Sequence, residues 1–200
     1  MALSRACQAR GDSALTICGD SIRVVHPLFQ EEDGGALPTS PLQLHFGEIA
    51  LDLAIQLNAI WHSRLPNAIK SNMQRVKHLV CFGAEFAGRF YQVSIFTDPV
   101  ARMLNGNNWI ELRRMAIAND APPNTASRSL RIMRLLIQKK WPHLQRMISY
   151  QDCDVHTGTI YLAAGWQRET ENLSGNWIRD NRDRRIAQAP GRKLRWGCAL

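Results

Sequence analysis

Apolar side chains recur along this chain in two rhythms. His78-Leu79-Val80-Cys81-Phe82 and Tyr91-Gln92-Val93-Ser94-Ile95-Phe96 are short runs of β-branched and aromatic residues, joined through Gly83 to Gly88. They predict two antiparallel strands, the second stopped by Pro99. Trp109 to Ile117 alternates large apolar and polar side chains over part of its length, which predicts a third strand with one buried face. After Pro122-Pro123 the spacing lengthens. Ala126, Leu130, Met133 and Ile137 share one stripe of a helix, widened by Ile132, Leu135 and Leu136. Asn124, Thr125 and Ser127 stand where side-chain oxygens cap a helix start, and Lys139-Lys140 and Pro142 mark its end.

The flanking segments follow the same logic. Leu42 to Phe46 predicts a strand, and Ile49, Leu53, Ile55, Leu57 and Ile60 predict a helix ending before Pro66. Gln145 to Tyr150 predicts a short strand, His156 to Ala164 a short helix stopped by Gly165, and Leu194 to Cys198 a closing edge strand. Residues 1–40 carry little periodicity beyond Ile22 to Val25 and end in Asp33-Gly34-Gly35 and Pro38-Thr39-Ser40-Pro41. They are expected to be an N-terminal extension, poorly structured or with at most one strand, ahead of a single domain over residues 41–200. This order of elements predicts the α/β (α+β) class, a mixed and mainly antiparallel central sheet flanked by helices.

Charge narrows the choice of partner. The 200 residues hold 25 Lys and Arg against 17 Asp and Glu, a net charge of +8. An excess of this size favours polyanions. Beyond Trp166 eight basic side chains (Arg168, Arg179, Arg182, Arg184, Arg185, Arg192, Lys193, Arg195) face four acidic ones, so half the net charge lies in the tail. Arg179, Arg182, Arg184, Arg185, Arg192, Lys193 and Arg195 are therefore candidate contacts to nucleic-acid phosphates, with a solvated charged face as the alternative. The five cysteines are scattered without a C-x-x-C pair, which suggests neither a disulfide framework nor a cysteine zinc site, and Cys81 is expected in the core. No apolar run approaches the ~20 residues that span a bilayer, so no membrane partner and a cytoplasmic location are expected.

Some candidate chemistry can be read directly. A helix start at Asn124 to Arg128 offers unpaired N–H groups and a favourable dipole for a phosphate, or serves only its own cap. Asp152, Asp154 and His156, with His62, are oxygen and nitrogen donors of the type that iron or zinc accepts. An Asp-x-Asp-x-His loop equally serves as a solvated turn.

Ile160-Tyr161-Leu162-Ala163-Ala164-Gly165-Trp166 resembles the ending of the last helix in the GNAT acyltransferase fold. In that fold the tyrosine commonly protonates a departing CoA thiolate. Glu111-Leu112-Arg113-Arg114, Pro122-Pro123-Asn124-Thr125-Ala126-Ser127-Arg128, Ile148-Ser149-Tyr150-Gln151-Asp152 and His156-Thr157-Gly158-Thr159-Ile160-Tyr161 together resemble the Mom family of bacteriophage proteins, over roughly residues 42 to 198. The resemblance implies a GNAT-like enzyme that adds a carbamoylmethyl group to the N6 amine of adenine in double-stranded DNA, shielding phage DNA from host restriction. It implies Arg114, Asp152 and Tyr161 as catalytic residues, with His62 matching a histidine after the first helix. It also implies acetyl-CoA or another acyl-CoA as cofactor and the bacterial host cytoplasm as location.

Two departures qualify this picture. The segment from Asp152 to His156 is one residue shorter than the family's linker, and no glycine occurs between Asn108 and Gly158, where GNAT enzymes mark the phosphate-binding turn. Either Asn124, Thr125, Ala126, Ser127 and Arg128 hold the phosphates through a changed loop, or CoA is not the cofactor. The runner-up functions are acetylation of a small amine or protein, and non-catalytic DNA binding on the same scaffold. The spatial expectation is that the Asp152 carboxylate and Tyr161 phenol converge on one cleft beside the amino end of the long helix.

Overall fold

The computed structural model describes residues 14–18, 21–25, 37–61, 70–73, 75–104, 106–174 and 191–200. Nine strands form one sheet: β1 (Ala14–Cys18), β2 (Ser21–Val25), β3 (His45–Glu48), β4 (Leu79–Phe86), β5 (Arg89–Thr97), β6 (Trp109–Ile117), β7 (Arg146–Asp152), β8 (Gln167–Ser174) and β9 (Gly191–Ala199). Helix α1 (Leu51–Trp61) covers one face, and α3 (Thr125–Lys140) and α4 (Thr159–Ala163) cover the other. A short helix, α2 (Lys70–Met73), follows α1. Every strand pair is antiparallel except β6 with β7, so the expected mixed, mainly antiparallel sheet between helices is observed.

The two-residue turn Ala87-Gly88, both at positive φ, closes the β4–β5 hairpin, and β5 is buried along its whole length as a central strand. On the α3 side Leu130, Met133 and Ile137 pack against Val80, Phe82, Phe96, Ile110 and Met147. On the α1 side Ala54 and Leu57 meet Cys81, Val93, Ile95 and Ala116. Burial of a side chain such as Ile137 stabilises the fold by roughly 1.5–3 kcal/mol. Burial also pushes the Cys81 thiol up to about 12, which keeps it protonated and inert.

Four local expectations are corrected. The strand placed at Leu42 to Phe46 starts later, at His45, because Ser40 and Gln43 form a capping box that turns Pro41–Gln43 into a 3-10 helix. The segment before residue 40 supplies two strands rather than at most one; β2 pairs with Arg89 and Phe90 of β5, beyond the end of β6. Leu194 to Cys198 lies in an interior strand, because the polar run Gln167–Ser174 adds β8 outside β9. Asn124 does not cap α3 through its side chain: it adopts a left-handed conformation at φ 67, and the Thr125 and Ser127 hydroxyls donate to the carbonyls of Pro122 and Asn124.

Candidate functional site

The parallel pair β6 and β7 separates part-way. Its ladder runs from Trp109–Arg146 to Leu112–Ser149, after which β6 continues to Ile117 and β7 to Asp152 without pairing. A bulge in β6 accompanies the separation: Leu112 and Arg114 stand opposite the consecutive residues Phe96 and Ile95 of β5, leaving Arg113 extra. Strand alternation then divides the residues around the gap between two faces.

On the α3 face a cavity of about 270 Å³ is walled by Ile117, Pro122 and Asn124 to Ser127, and across from them by Thr159, Ile160 and Ala163 of α4. The Thr125 N–H is bonded to Pro122 and the Arg128 N–H to Asn124, so the N–H groups of Ala126 and Ser127 remain as unused donors at this wall. Arg128, the fifth residue of the predicted phosphate-binding set, does not line the cavity; its Nε is buried without a partner. Asn124 turns the chain into α3 in the left-handed conformation, which Asn is among the few side chains to tolerate.

Tyr161 sits one layer deeper. Its hydroxyl is 2.9 Å from Ser149 Oγ, at the last paired position before the strands part. Its ring stacks on Trp196 at 5.2 Å and tilts against Trp166 at 5.5 Å. Burial raises the phenol above its ordinary range, offset in part by the Ser149 hydrogen bond. A local reason for the Tyr-x-x-x-Gly-Trp pattern is visible. Gly165, at φ 81, lets its own N–H reach Leu162 O and the Trp166 N–H reach Tyr161 O, the paired bonds of a Schellman stop whose apolar contact is Tyr161 with Trp166.

On the α1 face lie Glu111, Arg113, Arg114, Tyr150, Asp152 and Arg195. Glu111 is buried, and desolvation pushes its carboxyl up against the smaller opposing pulls of the Val100 N–H and the two arginines. Arg114 is pulled down by burial and then by the charge of Arg113. Burial is also the largest influence on Tyr150, whose phenol is raised despite a hydrogen bond from Arg195.

The expectation that Asp152 and Tyr161 share one cleft is corrected. Ser149 and Gln151 face Tyr161 and Trp196, so Asp152, one residue beyond Gln151, points to the α1 face. The two groups flank the same strand separation from opposite sides. Asp152 Oδ1 accepts the Asp154 N–H at 3.1 Å, and its backbone carbonyl receives the N–H groups of Val155 and His156. Among the described residues no group of three His, Cys, Asp or Glu side chains is placed to hold a metal ion, Asp152, Asp154 and His156 included. His62, Arg179, Arg182, Arg184 and Arg185 lie outside the described residues. Of the remaining tail candidates, Arg192 pairs with Glu171, Arg195 pairs with Glu169 at 2.6 Å, and Lys193 stands opposite Asp152 in the β7–β9 ladder. Sequence reasoning overlooked Ser149 and Arg113; the Arg113-Arg114 doublet inside an alternating strand was the available signal for the bulge.

A family model described as the Mom protein family matches residues 72–186, which span the β4–β7 segment, both helices of the cavity and Tyr161. The chain belongs to the Mom protein family. The fold of this Mom protein is that of GNAT acetyltransferases. The ribosomal-protein-S18-alanine N-acetyltransferase of Escherichia coli is 10% identical with a TM-score of 0.55, covering 78% of this chain and 94% of that one. A GNAT-family acetyltransferase of Streptococcus pneumoniae is 12% identical with a TM-score of 0.54, covering 78% and 99%. An acetyltransferase of Bacillus subtilis in complex with CoA is 11% identical with a TM-score of 0.51, covering 79% and 98%. Among curated proteins none matches. No helix among the described residues is long and apolar enough to cross a membrane.

Proposed function

We propose that this Mom protein is an acyl-CoA-dependent transferase that modifies the N6 amine of adenine in double-stranded DNA with a carbamoylmethyl group, in the cytoplasm of a phage-infected bacterium, and so protects phage DNA from restriction. The observation that carries this reading is the cavity at the amino end of α3, walled by Ile117 at the end of β6 and by residues of α4. The free N–H groups of Ala126 and Ser127 and the helix dipole fit a diphosphate, and the Bacillus subtilis acetyltransferase holds CoA on the same fold. An acyl-CoA held there would supply the two-carbon unit of the carbamoylmethyl group; its methylene bond to N6 and its amide nitrogen require a nitrogen donor and a step beyond acyl transfer.

The roles of the chain's own residues follow from the two faces. Tyr161, kept protonated by burial and aligned by Ser149, is placed to give a proton to a leaving group at the strand separation. Asp152, on the α1 face, is the group that orients or deprotonates the adenine amine, a weak nucleophile because its lone pair is delocalised into the ring. Adenine paired and stacked in a duplex cannot reach that gap, so the base is extruded.

Mass spectrometry of nucleosides from plasmid DNA of cells expressing the wild type, Tyr161→Phe or Asp152→Ala tests the reading. A mass-shifted deoxyadenosine with the wild type and its loss in both variants is the expected result. Unmodified nucleosides from wild-type cells, together with acetylation of a small amine or protein, would make the protein an acetyltransferase like those whose fold it shares.

A further inference from the structure

We infer that Arg113 and Arg114 form a phosphate-binding clamp on the α1 face of the sheet, which holds a backbone phosphodiester of the DNA strand being modified. The inference rests on the DNA reading above and assigns that reading a contact surface. In a regular strand two consecutive side chains point to opposite faces; the bulge opposite Phe96 and Ile95 turns both guanidinium groups the same way. Met115 and Ile117 beyond them return to the α3 side, where Ile117 walls the cavity.

The negative charge nearby does not balance this pair. Glu111 Oε1 lies 3.7 Å from Arg113 Nε, too far for a hydrogen bond, and its other oxygen accepts the Val100 N–H at 2.9 Å. Arg114 donates through Nη1 to the Arg113 carbonyl at 2.8 Å, while its Nε is buried without an acceptor. Arg113 adds only a 3.5 Å contact to Thr97 Oγ1. Burial and the neighbouring charge disfavour the ionised form of Arg114, so a further anion is what this cluster lacks. Arginine forks match phosphate oxygens in pairs. The described part of the basic tail differs: Arg192 and Arg195 are each matched by a β8 carboxylate.

The test is the binding of a fluorescent duplex by the full chain, measured by anisotropy over a series of salt concentrations. Losing one phosphate contact lowers the slope of log K against log salt by about 0.9. Arg113→Gln is expected to lower it by about that amount, Arg113→Lys to retain it, and Lys139→Gln, exposed in the last turn of α3, to leave it unchanged. CoA affinity is measured in parallel and is expected to be the same in all of them. A duplex-binding wild type whose slope survives Arg113→Gln overturns the clamp alone, as does an Arg113→Gln that loses CoA affinity in place of slope, which would assign the anion to the cofactor. A wild type that binds no duplex overturns both the clamp and the DNA reading. Should Arg114→Gln fail to fold, the variants at half-buried Arg113 still decide the question.

Discussion

The two ends of the central sheet carry polar clusters of opposite character. At the lower end His78 Nδ1 meets Asp98 Oδ1 at 2.6 Å, the other Asp98 oxygen accepts the Lys77 and His78 N–H groups, and His78 Nε2 meets His143 Nε2 at 3.0 Å, with Trp141 edge-on at 5.1 Å. Around the β6–β7 separation at the upper end, donors stand unused: the N–H groups of Ala126 and Ser127, and the Nε atoms of Arg114 and Arg128. A buried donor without an acceptor costs about 1–3 kcal/mol. The contrast separates a polar network that completes itself, and so ties strands together, from one with donors left over, which on the function proposed above a bound ligand completes.

The largest effect should come from the upper end. Tyr161→Phe removes one oxygen from a ring that keeps its Trp196 stacking, and DNA modification followed by nucleoside mass spectrometry should fall by about 10²–10⁴-fold while CoA affinity stays the same. The lower end should show the reverse. Asp98→Ala leaves three donors without their acceptor and should cost about 3 kcal/mol in urea unfolding, with CoA affinity and DNA modification unchanged at temperatures where the variant remains folded. An Asp98 variant of full stability and no activity would dissolve the contrast.

Smaller effects sharpen it. Ser127→Glu sets a carboxylate at the cavity wall and should weaken CoA binding about tenfold by calorimetry, near 1.4 kcal/mol. The raised Glu111 carboxyl has a signed consequence. The native state holds its proton more tightly than the unfolded chain, so this group lowers stability as pH rises from the ordinary Glu range near 4.3 through the elevated native value. Glu111→Gln should flatten that part of the pH–stability profile in urea melts taken at successive pH values.

Much of the architecture was legible because local rules and tertiary demands coincide. The β4–β5 runs, the alternation of β6, the stripe of α3 and the glycine after α4 each serve a buried face or a stop, and each falls where the pattern puts it. β8 was hidden because Gln-Arg-Glu-Thr-Glu-Asn-Leu-Ser carries no apolar signal; its place comes from pairing with β9 and from Glu169 holding both Arg146 and Arg195. At the candidate site the participants near the strand separation could be named, but not their faces. The sidedness of Asp152 and Tyr161 depends on register, and that of Arg113 on an extra residue in one strand, which only the partner β5 defines.

The tryptophans bracketing Tyr161 have an optical consequence. Trp196 and Trp166 lie within 5.5 Å of the phenol ring, and Trp196 Nε1 is anchored at 2.6 Å to Gln151, whose own amide holds the His156 carbonyl. Indole emission from this trio should change when a ligand reaches Ser149, so the protein carries an intrinsic fluorophore beside its candidate proton donor and needs no attached dye to report arrival.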